Sequence, residues 1–169
     1  MIRKIMLLGE IEVGKTSIAN RLVFDRFSES YKSTIGGDIY HYRIEDGPGG
    51  EPFHFTIWDT DGHAGEAMFR EQHMKGAHAA IVVGDLTRRE TLLTQVELLQ
   101  KFSDAFPGRY VAAVLNKTDL RDEVAAETGY LPSALDGSRW PVHQTSAKSG
   151  ENVKATFAEA ATTIVRRAL

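Results

Sequence analysis

Apolar residues fall in short blocks divided by polar, glycine-rich stretches, and their spacing changes from block to block. Ile2 to Leu8 is a compact apolar run that stops at Gly9, the pattern of a buried strand. Thr16 to Phe27 then carries Ile18, Ala19, Leu22, Val23 and Phe24 at helical spacing. Ile39 to Ile44 and Phe53 to Trp58 read as strands; in the second, Phe53, Phe55 and Ile57 alternate with His54, Thr56 and Trp58. The turn residues Glu45-Asp46-Gly47-Pro48-Gly49-Gly50 between them predict an antiparallel hairpin. Ala79 to Val83 predicts a further buried strand. Thr91 to Phe106 is helical up to Pro107-Gly108, Tyr110 to Leu115 is another strand, Trp140 to Gln144 a short one, and Asn152 to Val165 an amphipathic helix.

Strands that alternate with helices imply an α/β domain, a mainly parallel sheet covered on both faces. In such sheets ligands sit at the carboxyl ends of the strands, so the loops that follow strands are where chemistry is sought. No linker, repeat or low-complexity tract divides the 169 residues, and the whole of 1–169 reads as one domain. The net charge of −3 gives no broad nucleic-acid-binding face. The chain has no cysteine, which excludes disulfides, thiolate metal sites, catalytic thiols and cysteine-linked lipid anchors. The apolar start is too short for a secretory signal and no run approaches a membrane span. A cytoplasmic protein without a direct membrane anchor is the expectation.

Gly9-Glu10-Ile11-Glu12-Val13-Gly14-Lys15-Thr16 matches G-x-x-x-x-G-K-[ST], with the required strand before it and helix after it. Successive backbone N–H groups around Glu12, Val13 and Gly14 would line a concavity for phosphates, and Gly14 lets the backbone approach closely. Lys15 would place its charge on the β- and γ-phosphates, and the Thr16 hydroxyl would face Mg²⁺. Ser17 lies in the first helical turn, whose positive end faces the anion. An ordinary strand-to-helix turn is the plain alternative. The loop indicates phosphate without naming the base.

Two further loops can read a base. Asn116-Lys117-Thr118-Asp119 follows the Tyr110–Leu115 strand. A buried Asp119 carboxylate there could accept from the N1–H and exocyclic amine of guanine, a donor pair that adenine lacks. Thr145-Ser146-Ala147-Lys148 follows the Trp140–Gln144 strand, and the Ala147 N–H could donate to the guanine carbonyl. Each tetrapeptide alone could instead be a capped turn.

Together these motifs resemble the Ras superfamily, and its Rab-like branch most of all, over essentially the whole chain. The resemblance implies a P-loop NTPase G domain with six strands, a GTPase that cycles between GTP and GDP, and Mg²⁺ as cofactor. Ser33-Thr34-Ile35-Gly36 is similar to switch I of that branch, so Thr34 would meet Mg²⁺ and the γ-phosphate, with its carbonyl near the attacking water. Trp58-Asp59-Thr60-Asp61-Gly62-His63 is similar to switch II: Asp59 would hold Mg²⁺ through water, and the Gly62 N–H would reach the γ-phosphate. Phe27 stands where the family carries an aromatic beside the guanine; a helix-end core contact is the competing reading. Lys148 completes the S-A-K motif. Effectors, activating proteins and exchange proteins would act through the switches, beside which lie Ile39, Phe53 and Trp58, themselves equally readable as core or sheet surface.

Three residues depart from the family pattern. His63 replaces the glutamine that orients the attacking water, as in translational GTPases, and is expected to take that role. Ile11 adds bulk where a very small residue is common, and Glu12 adds a carboxylate near phosphates. They predict slow hydrolysis without an activating partner, and leave open a GTP-binding signalling or scaffold module with little turnover. No arginine is assignable to the transition state. The carboxyl-terminal residues lack the cysteine tail of membrane-anchored relatives, and the expectation is either a soluble protein or a domain of a larger chain.

Overall fold

The computed structural model describes residues 2–28, 37–60, 74–121, 133–136 and 139–169. Its elements run β1 (Ile2–Leu8), α1 (Lys15–Phe24), β2 (Asp38–Ile44), β3 (Phe53–Asp59), β4 (Ala77–Asp85), α2 (Arg89–Ala105), β5 (Tyr110–Asn116), β6 (Val142–Gln144) and α3 (Val153–Arg166). The six strands form one sheet in the order β2-β3-β1-β4-β5-β6. Only β2 and β3 pair antiparallel, as the hairpin Asp38↔Asp59 to Ile44↔Phe53. The other neighbours are parallel.

The sheet is covered on both faces. On one, Ile5, Leu7, Phe55, Ile57, Ile81, Val83 and Val114 pack with Ile18 and Leu22 of α1 and Phe157 and Ile164 of α3. On the other, Met6, Leu8, Val82, Ala113 and Leu115 pack with Leu92, Leu99 and Phe102 of α2. β5 is buried along its whole length and β4 nearly so, as expected of central parallel strands.

The elements follow the pattern closely, with one consequential difference. The first helix stops at Phe24 instead of Phe27. Asp25 adopts a left-handed conformation (φ 51°), its N–H bonds to Arg21 O, and the Arg26 N–H turns back to Asn20 O. That is the geometry of a helix end capped by a left-handed residue. The apolar spacing at Phe24 and Phe27 conceals it, because both side chains are exposed.

The period of β3 decides where chemistry sits. Phe53, Phe55, Ile57 and Asp59 share its buried face, since side chains alternate along a strand. Asp59 thus continues an apolar stripe to the carboxyl end of the sheet, opposite Leu7 of β1.

Candidate functional site

The phosphate loop leaves β1 at Gly9 and enters α1 at Lys15. Both bounding glycines are fixed by contact as well as conformation. Gly9 has φ +142°, and a Cβ there would lie 2.3 Å from Val83 O. Gly14 has φ +100°, and a Cβ would lie 2.3 Å from Asn116 Nδ2. A side chain at Gly9 would collide with the β4 backbone, and one at Gly14 with the Asn116 amide. Glu12 is also left-handed (φ 63°), at an energetic cost of about 1 kcal/mol or more for a residue with a Cβ. Its side chain is exposed, and Val13 is buried beneath the loop. Lys15 is 6% exposed and its Nζ donates to Gly9 O (3.0 Å) and Glu10 O (2.6 Å), which places the ammonium inside the curve of the loop. Ser17 follows in the first turn of α1, half-buried.

The Thr16 hydroxyl donates to Asp59 Oδ2 at 2.5 Å. Asp59 is buried, and that burial pushes its carboxyl up to about 6; the Thr16 hydrogen bond and the Lys15 charge oppose the rise, and Asp38 adds to it. The other oxygen, Oδ1, is buried with no hydrogen-bond partner among the described residues. An orphaned carboxylate oxygen beside a threonine hydroxyl at a helix N-terminus suits a hard divalent cation that draws its remaining ligands from phosphate and water. The pair therefore fits Mg²⁺, and no group of three or more His, Cys, Asp or Glu among the described residues makes a rival metal cage. Just beyond, the Thr60 hydroxyl donates to Leu7 O at 2.7 Å and ties the exit of β3 to β1.

Asn116 joins the loops. Its Nδ2 donates to Val13 O (3.0 Å) in the phosphate loop. Its Oδ1 accepts from Thr145 Oγ1 (3.1 Å) and from Ala147 N (3.1 Å). The Ala147 N–H, expected to face the guanine carbonyl, is thus engaged by Asn116 in this structure. Asp119 differs too: it is exposed instead of buried, because the turn after β5 carries it to the lip of the site. Ser146 Oγ donates to its Oδ1 at 2.6 Å and so orients the carboxylate. Lys117 is left-handed (φ 70°), with its Nζ 2.6 Å from Asp85 Oδ2. Lys148 contributes its backbone carbonyl, which accepts from Arg21 Nη2 at 2.6 Å.

Phe27 lies beyond the end of α1 and is 37% exposed. Ile39 is exposed, but Phe53 is buried in the core and not available to an effector. Trp58 is half-buried under Lys4, whose Nζ lies 3.7 Å from the ring centroid. Thr34, Gly62 and His63 lie outside the described residues, together with most of both predicted switches.

The sequence did not single out Arg21 or Arg88. Arg21 Nε donates to Ala147 O at 2.9 Å, which straps the last base-reading loop to the helix behind the phosphate loop. Arg88, in the loop after β4, donates to Ile11 O at 2.6 Å. That loop also follows a parallel strand, and this placement was the available signal.

The Ras family pattern matches residues 4–166. The chain belongs to the Ras family. It is 33% identical over 165 residues to the Ras-related protein Rab-36 of Mus musculus, covering 94% of this chain and 60% of that protein. It is 34% identical over 166 residues to the Ras-related protein Rab-1A of Dictyostelium discoideum, covering 97% of this chain and 81% of that protein. The chain thus spans under two thirds of the mouse relative's length. It is a Rab-like small GTPase by family, and its six-stranded, mostly parallel sheet is the fold that membership implies. No described helix is long and apolar enough to cross a membrane.

Proposed function

We propose that this protein is a Mg²⁺-dependent GTP switch that hydrolyses GTP to GDP and phosphate, slowly without an activating partner. The observation that carries the reading is Asn116, a buried amide that bonds the phosphate loop on one side and the S-A-K loop on the other. A site so latched reads triphosphate and base as one ligand. Asp119, oriented by Ser146, would accept the N1–H and amine of guanine, and Phe27 would lie against the base.

Thr16 and Asp59 would hold Mg²⁺, which when bound supplies positive charge to the β- and γ-phosphate oxygens. Lys15 would exchange its bonds to Gly9 O and Glu10 O for those oxygens and hold the charge that grows on the transferring phosphoryl group. The loop's N–H groups and the N-terminus of α1 add to that field. His63 would orient the attacking water, and Thr34 would close on the γ-phosphate in the GTP state only. Such a differential contact is what allows the nucleotide to shift switch I and switch II between effector-binding states. Effectors, activating proteins and exchange proteins would read that difference, and a cytoplasmic site of action follows as part of the same proposal.

The test is to identify the nucleotide that co-purifies and then follow one round of GTP hydrolysis with Mg²⁺. Bound GDP with phosphate release supports the switch. GTP that stays intact, in wild type and in a His63→Gln variant alike, would turn the reading into a binding module without turnover. Displacement by ATP as effective as by GDP would refute the guanine assignment.

A further inference from the structure

The loop after β4 and the first turns of α2 belong to none of the nucleotide motifs, yet they touch the phosphate loop twice. Arg88 Nη2 donates to Ile11 O at 2.6 Å, and the Thr94 hydroxyl donates to the Glu10 carboxylate. The same guanidinium reaches Asp85 Oδ2 through Nε at 3.2 Å. Lys117 Nζ lies 2.6 Å from that same oxygen. Asp85 is fully buried, and its other oxygen accepts from Thr87 N (2.8 Å) and Thr87 Oγ1 (2.7 Å). One carboxylate therefore joins the two halves of a continuous path: Ile11 of the phosphate loop, Arg88, Asp85, and Lys117 of the base-reading loop.

The direction of the grip matters. In a phosphate loop the N–H groups converge on the anion, and Arg88 holds a carbonyl of the same backbone. Such a contact sets where Ile11 stands without touching phosphate.

We propose that Arg88 is a positioning residue of the nucleotide site: with Asp85 as common anchor, it couples the loop that holds the phosphates to the loop that reads the base. The inference rests on the guanine-nucleotide reading above. The planar guanidinium suits the task because its fork serves two acceptors at once, Ile11 O and Asp85 Oδ2; a lysine ammonium is a single point charge. Asp85 needs both cations near it, since a buried carboxylate short of partners is costly. Ordering either end of the path lowers the cost of ordering the other, which is the physical content of coupling between two sites.

The experiment measures release of a fluorescent GDP, with Mg²⁺, from wild type, Arg88→Ala, Arg88→Lys, Lys117→Ala and the Arg88→Ala/Lys117→Ala double variant. Arg88→Gln substitutes if the alanine variant does not fold. Loss of a charged hydrogen bond to the loop predicts release about tenfold faster in Arg88→Ala. Arg88→Lys should recover only part of that. In the double variant the two effects should fall well short of multiplying, because both side chains act through one oxygen. An arginine with only a structural role would lower the melting temperature of each variant and leave the two fold-changes multiplicative. Release within about twofold of wild type in Arg88→Ala, or fold-changes that multiply, would overturn the inference alone. Wild-type protein that retains no GDP would overturn the functional reading and this inference with it.

Discussion

Replacement of Asn116 by alanine removes the side chain on which three loops converge. The amide is 1% exposed and makes three hydrogen bonds, to Val13 O, Thr145 Oγ1 and Ala147 N, all at 3.0–3.1 Å. None of the three partners gains a substitute from a methyl group. With a net value of roughly 1 kcal/mol for each bond, the protein should lose about 3 kcal/mol. The figure can exceed the sum if the partners remain buried and unsatisfied, and fall below it if water enters. For a domain of 169 residues, that loss lowers the melting temperature by roughly 6–12 °C. Urea denaturation without nucleotide, where no ligand contact contributes, measures the structural part. An unchanged m-value would show that the unfolding transition itself is the same. Asn116→Asp separates the two sides of the latch: it keeps acceptors for Thr145 and Ala147 but sets a carboxylate oxygen against Val13 O. Its defect should fall on stability as well as on nucleotide retention, because a buried carboxylate oxygen set against a carbonyl is costly. An Asn116→Ala protein that melts within about 2 °C of wild type would refute the argument that this amide holds the loops together.

Three other perturbations follow from the same contacts. Thr16→Ala removes the hydroxyl that faces Asp59, so GDP release from the variant should hardly respond to EDTA, whereas wild-type release should accelerate; an equal response in both proteins would remove Thr16 from the metal site. Phe27→Ala should leave unfolding within about 1 kcal/mol of wild type, since the ring is exposed, yet weaken GDP by roughly tenfold if a base stacks there; equal affinity by equilibrium titration would exclude stacking. For Asp85, burial alone would raise the carboxyl pKa, but hydrogen bonds from Lys117 and Thr87 hold it below the ordinary carboxylate range. A depressed folded-state value means that its stabilising contribution is complete above the unfolded pKa of about 3.9 and is lost as pH falls through the folded value. The stability difference between wild type and Asp85→Asn should therefore be constant from about pH 5 to 7 and shrink below about pH 4, as followed by urea titration at each pH; a gap that widens in acid would contradict this sign.

Much of the architecture was readable in the residues because the signals are local. The period of two in Phe53, Phe55 and Ile57, the unbroken apolar run of Tyr110 to Leu115 and the helical spacing of Ile18, Ala19 and Leu22 each report burial over a few residues. The phosphate loop was legible for a similar reason: its function is carried by backbone conformation, and glycines mark the places where the backbone must be bare. The sequence also put the phosphate loop, the Asn116–Asp119 loop and the Thr145–Lys148 loop each after a strand, hence at the carboxyl end of the sheet.

What tertiary structure alone decided is how those loops are bound to each other. Asn116 lies 103 positions from Val13, and Arg88 lies 77 from Ile11. No periodicity links residues so far apart, because their proximity depends on strand order, β1 next to β4 and β4 next to β5. The raised carboxyl of Asp59 has the same origin. Its place in the chain suggests a metal ligand, but its burial comes from sharing a strand face with Phe53, Phe55 and Ile57 while α1 brings Thr16 to its other side. The early end of α1 was hidden because exposed Phe24 and Phe27 mimic a continuing apolar stripe, and the left-handed Asp25 that ends it leaves no trace in hydrophobic spacing. Local patterns specify which elements form and which loops face the ligand; the packing of those elements sets the distances through which the loops act together.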